Sequence, residues 1–373
     1  MAQGMDGAKR VGILGGGQLG RMLALAGYPL GIRASLYDHE ASACAGQVAP
    51  LTSAAYDEWD ALADFAQDKE CITYEFENVP LSAVQWLSAR IPVHPTPRAL
   101  EVFQDRLLEK SFLQDIGVPV PRFAPIHPHE PDAALEKVGL PCVVKTRRFG
   151  YDGKGQVIVH DEQQYLQALA TLAAHPLIAE ELIDFEREVS VLGVRALDGQ
   201  MEVYPLVENH HRGGILRLSL APAPHTSLQL EAAAREYVTR LMETLDYVGV
   251  VAIELFQVGD LLIANEVAPR VHNSGHWTIE GAETSQFENH LRAICGFALG
   301  STAPRGHSAM VNLIGDLPPV AEVLAIPHAH LHLYGKQPRP GRKIGHITVR
   351  ADDAAQRDRW LEQVLQLYPD ARL

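Results

Sequence analysis

The chain has 373 residues, of which 47% are hydrophobic and 21% charged, which is ample for two or three domains of the usual ~100–200 residues. Its 32 Lys and Arg residues are outnumbered by 46 Asp and Glu residues, giving a formal net charge of −14. This balance argues against a general nucleic-acid or anionic-membrane binder, since both need a cationic surface. No apolar run of about 18 residues or signal-peptide pattern occurs, and four scattered cysteines without a CxxC pair favour a reducing cytoplasm.

Short apolar runs alternate with helical patterns at the beginning of the chain. Four of these runs predict buried strands, at residues 11–14, 32–37, 71–74 and 91–94. Residues 18–26 have the apolar spacing of a helix. Because strands that alternate with helices pair in parallel, we expect an α/β, Rossmann-like N-terminal domain over residues 1–96.

After Thr96-Pro97 the pattern is mixed, and we expect α+β structure over residues 97–300. One amphipathic helix is predicted to include Leu100, Phe103, Leu107 and Ile116. A long helix is predicted at 228–245, and strands are predicted at 141–146, 157–160, 249–256 and 261–267.

The last part of the chain is expected to be a small β-rich domain over residues 301–373. A linker at 301–306 precedes it. Its predicted strands are 309–314, 330–334 and 344–350.

A glycine-rich turn follows the first predicted strand. The segment Gly15-Gly16-Gly17-Gln18-Leu19-Gly20 satisfies GxGxxG, and Asp38 ends the second strand. Glycines allow an anion to approach the backbone, and the helix that follows offers free N–H groups. The pattern predicts a site for a phosphorylated ribose, with Asp38 accepting a ribose hydroxyl. It suits NAD as well as other phosphorylated riboses, and a bare tight turn is the alternative.

Lys145 ends an apolar strand shortly before the glycine-rich loop 150–156, GYDGKGQ. Such a loop can fold over a triphosphate while a lysine on the strand holds it. The Walker pattern GxxxxGK[ST] is absent. The alternative is a hairpin turn with solvated lysines.

Two acidic residues are predicted to face each other across a hairpin. Residue 260 lies in a predicted turn between two apolar strands. Glu254 on the first strand and Glu266 on the second lie at equal sequence distances from it. Directly opposed residues of an antiparallel pair have Cβ atoms roughly 4.5–5.5 Å apart. Two carboxylates so close repel each other unless a cation lies between them, and Mg²⁺ bound to a nucleotide suits the site. The alternative is an exposed polar face of the hairpin, and a register slip of one residue would separate the pair.

Three further segments are rich in polar groups. Residues 179–183 with Glu188 suit either an adenine-binding strand edge with a ribose acceptor or a plain acidic strand edge. Residues 270–277 suit a substrate pocket. Four cations lie close to a proline–glycine turn, which suits either a bound phosphate or a solvated loop: Lys336, Arg339, Arg342 and Lys343.

These motifs together resemble a known family. Lys145, the loop GYDGKGQ, the segment EELI and the pair Glu254/Glu266 resemble the ATP-grasp superfamily. Within it, VGILGGGQLGRMLALA, YEFENVP, TRRFGYDGKGQ, NEVAPRVHNSGHWT and RPGRKIGHITV resemble the N5-carboxyaminoimidazole ribonucleotide synthetase family of purine biosynthesis. The resemblance implies an ATP-grasp domain over 97–300, with a lid subdomain at about 120–190.

The resemblance implies a ligase that converts 5-aminoimidazole ribonucleotide, bicarbonate and MgATP to the N5-carboxyamino product, ADP and phosphate. Magnesium would be ligated by Glu254 and Glu266. The implied ATP contacts are Arg106, Lys145, Gly150, Tyr151, Asp152, Gly153, Lys154, Gly155, Gln156, Glu180, Glu181, Leu182, Ile183, Glu188, His211, Asn265 and Glu266.

The resemblance also implies where the other two substrates lie. The implied ribonucleotide contacts are Gly16, Gly17, Gln18, Leu19, Glu75, Lys336, Arg342 and Lys343, with either Arg342 or Lys343 on its phosphate. The residues implied around bicarbonate and the reacting amine are Tyr151, Lys154, Arg270, His272 and Asn273. One departure is Ala268, at a position where many superfamily members have an Asn.

We also expect a cytoplasmic homodimer that binds small molecules and binds neither nucleic acid nor membranes. Another ATP-grasp ligase with a different acceptor amine, such as a glycinamide ribonucleotide formyl-transferring relative, is the first alternative. An NAD-dependent dehydrogenase is the second, and a silent nucleotide sensor or scaffold is the third.

Overall fold

The computed structural model of the protein describes residues 9–150 and 153–372. Its N-terminal part is a parallel four-stranded sheet in the order β3-β2-β1-β4, as the alternating pattern predicts. The elements of this part are β1 (Arg10–Leu14), α1 (Gln18–Gly27), β2 (Arg33–Asp38), β3 (Leu51–Ser53), α2 (Trp59–Ala66), β4 (Cys71–Tyr74) and α3 (Leu81–Ser88). The carboxyl ends of its strands are where ligands bind in open α/β sheets.

The strand predicted at 91–94 is wrong. Only Val93 pairs with the sheet, through a single bridge to Ile72. Pro92 lies within this segment and Pro95 follows it, and proline cannot donate a ladder hydrogen bond.

The single helix predicted through residues 100–116 is two helices, α4 (Pro97–Phe103) and α5 (Arg106–Asp115). The chain breaks at Asp105, whose Oδ1 accepts the N–H of Leu107 at 3.0 Å. An aspartate that caps the next helix competes with helix continuation at its own position. The break matters because α5 now begins with Arg106, beside the cleft described below.

A second sheet of four antiparallel strands, in the order β5-β8-β6-β7, forms the region expected as the lid. Its elements are β5 (Phe123–Ile126), α6 (Pro131–Val138), β6 (Cys142–Thr146), β7 (Gln156–Val159), α7 (Glu162–Leu172) and β8 (Leu177–Glu181). The glycine-rich loop joins the hairpin partners β6 and β7, so its position is set by this small sheet.

The largest sheet joins the middle of the chain to its end, in the order β14-β13-β9-β11-β12-β15-β17-β16, with β10 also on β9. Its middle elements are β9 (Arg187–Arg195), β10 (Met201–Val203), β11 (Val207–Arg212), β12 (Ile215–Ala221), α8 (Leu228–Thr244), β13 (Gly249–Val258), β14 (Leu261–Ala268), α9 (Thr278–Gly281) and α10 (Gln286–Ile294). Its last elements are β15 (His307–Ile314), α11 (Val320–Leu324), β16 (Ala329–Leu333), β17 (Lys343–Ala351) and α12 (Ala354–Leu367). The C-terminal strands therefore extend the central sheet.

Apolar packing connects the N-terminal and central parts. One buried cluster includes Leu23 of α1, Leu192 of β9 and Leu291 of α10. Within the described ranges, no helix is long and apolar enough to cross a membrane.

Candidate active site

One cleft of about 950 Å³ lies where the three parts of the chain meet. The N-terminal part contributes Gln18, Leu19 and Glu75, and the C-terminal part contributes Lys336, Arg342 and Lys343. Between them the central part contributes Arg106, Lys145, Gly150, Gly153, Lys154, Gln156, Leu182, Glu188, His211, Glu254, Asn265, Glu266, Arg270, His272 and Asn273. Most of the predicted site residues are thus brought together in one place.

The two predicted metal carboxylates face each other across β13 and β14. Glu254 pairs with Glu266, and Leu255 pairs with Ala264, so Asn265 is an extra residue on β14. This extra residue is a β-bulge, a feature common at sheet edges beside active sites. The predicted pairing of Glu254 and Glu266 is confirmed.

The reason given for this pairing is corrected. The turn is Gly259-Asp260, with Val258 paired to Leu261, so it is not centred on residue 260. Continued without the bulge, this register would place Glu266 opposite Ile253, in the apolar core. The bulge therefore turns Glu266 from the core face to the cleft.

The carboxylate pair is electrostatically strained without a cation. Burial, together with the nearby charge of Glu266, raises the pKa of Glu254 to about 7. On the other side of the pair, Arg106 Nη2 lies 3.4 Å from Glu266 Oε2. A divalent cation between the two carboxylates would remove their mutual repulsion.

Lys145 is held by a buried carboxylate at the back of the cleft. Its Nζ donates to Glu180 Oε2 at 2.9 Å, and Lys110 Nζ lies 3.7 Å from the same oxygen. Burial lowers the pKa of Lys145. Burial also acts on Glu180, but the two lysines outweigh it and lower the pKa of that carboxyl. Glu180 can therefore contribute to a nucleotide site only through its backbone or through Lys145.

The glycine-rich loop reaches the cleft with Gly150, Gly153, Lys154 and Gln156. A Cβ at Gly150 would lie 2.9 Å from Arg106 Nη1 and 3.0 Å from the Lys154 carbonyl oxygen, so the absence of a side chain lets the backbone pass close to that guanidinium. Gly155, also predicted to contact ATP, is not among the residues that line the cleft. Tyr151 and Asp152, predicted to contact ATP, lie outside the described residues.

The segment EELI enters the cleft only at Leu182. The Glu181 carboxylate is turned to Arg122, which donates from Nε and Nη2 at 3.0 Å each, and Ile183 is not among the lining residues. Sequence reasoning missed the aromatic wall beside Leu182, where Phe185 and Phe256 stack at 4.6 Å between ring centroids. Two half-exposed phenylalanines stacked at a cleft suit a planar ring, but their partnership is invisible in sequence because they lie on separate segments of the chain.

Glu188 and His211 lie on the neighbouring strands β9 and β11 and form a pair, with 3.1 Å between Oε2 and Nδ1. Burial lowers the pKa of His211, but the nearby carboxylates of Glu188 and Glu254 outweigh it, so the net shift is upward. Both side chains line the cleft on the side of β13.

The GxGxxG turn is occupied by the protein's own carboxylates. Gly17 N–H and Gly20 N–H donate to the two oxygens of Glu75, and Gly16 N–H donates to Asp38 Oδ2 at 2.7 Å. A Cβ at Gly17 would lie 2.5 Å from Glu75 Oε1, so this contact needs glycine.

Two expectations for this turn are therefore corrected. The amides of Gly16 and Gly17 are not free for a phosphate, and neither residue lines the cleft. Asp38 does not line the cleft, and its two oxygens accept backbone N–H groups, from Gly16 and Glu40. Sequence alone could not assign Glu75 to this position, because it lies far along the chain on the adjacent strand end.

The cationic run crosses to the N-terminal part of the cleft. Lys336 Nζ donates to Gln18 Oε1, and burial lowers the pKa of Lys336. Arg339, Arg342 and Lys343 line the same wall. Four cationic side chains are thus clustered at the wall of the cleft beside the glycine turn.

A chain of buried polar groups orients His272. Asn209 donates to Ser190 Oγ at 2.9 Å, Ser190 donates to Ser274 Oγ at 2.8 Å, and Ser274 Oγ lies 2.8 Å from His272 Nδ1. The Ser274 N–H also donates to Nδ1, and burial lowers the pKa of His272 well below its usual value. The ring is therefore neutral with its hydrogen on Nε2, which lies 3.3 Å from Glu254 Oε1.

Two other predicted catalytic residues are also fixed by the protein. Arg270 Nε donates to Glu77 Oε2, and Asn273 exchanges two hydrogen bonds with Asn312, at 2.8 and 3.0 Å. His276, within the segment 270–277 predicted as a substrate pocket, lines the cleft, and so do Glu77 and Asn78, which sequence reasoning does not single out as site residues. The motif YEFENVP, used for the resemblance, contains Glu77 and Asn78.

Comparison with known proteins agrees with this geometry. Three family models match the chain: the ribonucleotide synthetase preATP-grasp domain at residues 8–104, the ATP-grasp domain at 111–287 and the phosphoribosylaminoimidazole carboxylase C-terminal domain at 308–359. The N5-carboxyaminoimidazole ribonucleotide synthase of Pseudomonas aeruginosa is 50% identical over 347 residues, which cover 93% of this chain and 96% of that protein.

Solved structures are similar over nearly the whole length. The N5-carboxyaminoimidazole ribonucleotide synthetase of Thermus thermophilus has a TM-score of 0.92 and 57% identity, covering 96% of this chain and 98% of its own. The Aspergillus clavatus synthase, solved with ADP and 5-aminoimidazole ribonucleotide, has a TM-score of 0.89 and 31% identity, covering 97% and 99%. The chain belongs to the N5-carboxyaminoimidazole ribonucleotide synthase family of ATP-grasp ligases.

Proposed function

We propose that this protein carboxylates 5-aminoimidazole ribonucleotide with bicarbonate and ATP, giving N5-carboxyaminoimidazole ribonucleotide, ADP and phosphate in purine biosynthesis. The observation that carries the proposal is the shared cleft: the Glu254/Glu266 pair, Lys145 and the cationic wall at Lys336 all open into it. An ATP tail and a phosphorylated acceptor can therefore meet there. Family membership supports the same reaction.

The carboxylate pair fits magnesium. Among the described residues no cluster of three or more His, Cys, Asp or Glu side chains could form a complete metal cage. Mg²⁺ is usually bound by one or two protein carboxylates, and its remaining ligands come from substrate phosphates and water. Glu254 and Glu266 would hold the ion, and it would neutralise charge on the phosphates of ATP.

The protein's own residues would position the nucleotide. Lys145, Lys154 and Arg106 bring positive charge to the phosphate end of the cleft, and the ring of adenine would lie against Leu182 and the stacked Phe185 and Phe256. The ribose would lie near Glu188 and His211. Positioning and charge neutralisation are the main contributions of protein groups to phosphoryl transfer.

The reaction would take place in two steps. An oxygen of bicarbonate attacks the γ-phosphorus, the bond to the β-phosphate oxygen breaks, and carboxyphosphate and ADP result. The amine of the ribonucleotide then attacks the carboxyl carbon, directly or after release of CO₂, and phosphate leaves. Arg270 and the Nε2–H of His272 would orient the carboxyl group by donating hydrogen bonds, and Asn273 lies beside them. Gly153 and Lys154 of the loop would limit entry of water, which would otherwise hydrolyse carboxyphosphate.

The ribonucleotide would lie between the N-terminal and C-terminal walls of the cleft. Lys336, with Arg342 or Lys343, would hold its phosphate, while Gln18 and Leu19 would contact the remainder. Glu75 lies at the same wall, but its carboxylate is engaged by the glycine turn. A cytoplasmic homodimer belongs to the same proposal, and the free thiols of all four cysteines support a reducing compartment.

The deciding experiment measures ADP release and incorporation of labelled bicarbonate with one acceptor amine at a time. We expect both to depend strictly on 5-aminoimidazole ribonucleotide. Equal turnover with glycinamide ribonucleotide would overturn the assigned acceptor, and the absence of any ATP-dependent incorporation would overturn the reaction.

A further inference from the structure

The β-bulge in β14 is held by two adjacent side chains of α5. Lys110 is fully buried, and its Nζ donates to the backbone oxygen of Asn265 and, at 3.3 Å, to that of Ala264. Glu109 is also buried, and its Oε2 accepts the N–H of Val267 at 3.2 Å. The two side chains bind the backbone immediately before and after the second carboxylate of the proposed metal pair.

The bulge and the edge position of β14 leave backbone N–H and C=O groups without partners on a neighbouring strand, and these contacts satisfy some of them. β14 is the last strand of the large sheet, so one side of its backbone has no neighbouring strand. A bulge further disrupts the ladder on the inner side. Buried backbone groups without a partner are costly, and at an edge they need partners from another element. Here the Pro119 carbonyl accepts the N–H of Ala264 at 2.7 Å, and the charged side chains of α5 bind the Ala264 and Asn265 carbonyls and the N–H of Val267.

A buried ion pair is a poor way to add stability. Burying two charges costs the free energy of their hydration, and their mutual attraction offsets this cost only in part. Apolar residues of similar size often stabilise a fold equally well. Lys110 Nζ lies 3.8 Å from Glu109 Oε1 and 3.7 Å from Glu180 Oε2. Its shorter contacts are to the backbone of the bulge. The pair is therefore suited to fixing one backbone arrangement.

The backbone arrangement decides where the metal carboxylate points. Without the extra residue at Asn265, Glu266 would pair with Ile253 in the apolar core. With it, Glu266 pairs with Glu254 at the cleft. We propose that Lys110 and Glu109 are positioning residues for the metal site, because they lock the bulge that presents Glu266 to Glu254. The inference rests on the proposed function, in which this pair binds the metal.

The test measures Mn²⁺ binding to the full-length protein in the presence of ADP, by electron paramagnetic resonance. Lys110→Met keeps the length of the side chain but removes the donor. Leu113→Ala is the matched control, because it also weakens buried packing of α5 but removes no hydrogen bond to the bulge. Loss of residues that orient metal ligands commonly costs about 10–100-fold in metal affinity. We expect a loss in this range for Lys110→Met and a change within about twofold for Leu113→Ala.

A second pair of variants tests the other end of the bulge. Glu109→Gln keeps an oxygen that can accept the N–H of Val267, whereas Glu109→Leu does not. We expect Glu109→Gln to retain most of the Mn²⁺ affinity and Glu109→Leu to lose it, with faster hydrogen exchange in residues 264–268. If Lys110→Met does not fold, the comparison of Glu109→Gln with Glu109→Leu tests the proposal by itself.

The outcomes separate this inference from the proposed function. If the unmodified protein binds Mn²⁺ with ADP, and Glu254→Gln weakens that binding, the metal site stands. Wild-type Mn²⁺ affinity in folded Lys110→Met, or equal affinities in the two Glu109 variants, then overturns the positioning role alone. If Glu254→Gln leaves the affinity unchanged, the proposed metal site itself fails.

Discussion

Lys145 and Glu180 form a buried ion pair across the adjacent strands β6 and β8, with 2.9 Å between Nζ and Oε2. The pair connects the lid sheet to the phosphate end of the cleft, because Lys145 lines the cleft while Glu180 is almost completely buried. Its two members should therefore respond differently to mutation.

Lys145→Met should reduce kcat/KM for ATP by at least about 100-fold, since a charge that stabilises the transferring phosphoryl group is lost. It should also lower the free energy of unfolding by about 3 kcal/mol, because Glu180 loses its closest partner. The double variant Lys145→Met/Glu180→Gln should regain much of that stability without regaining activity. Denaturant unfolding and steady-state kinetics check both, and recovery of activity in the double variant would contradict the assigned role of Lys145.

Glu254→Gln should leave the fold intact and reduce turnover by at least about 100-fold, because metal-assisted charge neutralisation is lost. In metal-free protein at pH 8 the variant should unfold at the same temperature as the wild type or higher, since a buried like-charge contact with Glu266 is removed. Thermal denaturation and ADP release are the measurements. Turnover near the wild-type rate would rule out Glu254 as a metal ligand.

The stability of the metal-free protein should depend on pH through Glu254. Its folded-state pKa of about 7 lies above the ordinary value of 4.5, so between these values the folded state binds more protons than the unfolded state. This group's contribution to stability is therefore present at low pH and is lost as pH rises through about 7, by an amount on the order of 2 kcal/mol. Glu254→Gln should remove this part of the slope.

The difference between the two proteins isolates the effect, because Glu109, whose pKa burial also raises to about 7, is present in both. Unfolding curves in a chelator between pH 5 and pH 8 supply the data. Parallel pH profiles for wild type and variant would refute the assignment.

Lys336→Met should raise KM for the ribonucleotide by about 10–100-fold, which corresponds to one hydrogen bond to a charged group, while KM for ATP changes little. Arg359, on the exposed face of α12, provides the control variant Arg359→Met. Initial rates with each substrate varied separately give the two constants. An equal rise in both would place Lys336 on the nucleotide instead.

Nicotinamide dinucleotides should not bind. The amides of Gly16, Gly17 and Gly20 already donate to Asp38 and Glu75, so a pyrophosphate would have to displace two carboxylates. Calorimetry should detect no binding of NAD⁺ and clear binding of ATP with magnesium. Micromolar binding of NAD⁺ would revive the dehydrogenase alternative.

Local patterns predicted much of the fold but not the contacts between distant segments. Period and turn residues located β1, α1 and the hairpin of β13 and β14, because these depend on neighbours in sequence. The role of Glu75 at the glycine turn depends on which strand lies beside β1. The bulge at Asn265 leaves no mark in the alternation of residues 261–268. Lys110 gives no sign in sequence that it is buried, since a lysine on an amphipathic helix is usually exposed.

The ladder between β12 and β15 limits how the chain can be shortened. A protein ending at residue 300 would keep β12 but lose its partner, leaving a row of unsatisfied N–H and C=O groups and apolar side chains such as Leu218 in water. An open edge of this kind recruits strands from other molecules. The last seventy or so residues therefore cover the edge of β12, the strand next to His211, and a shortened protein that ends at the apparent linker would expose that edge.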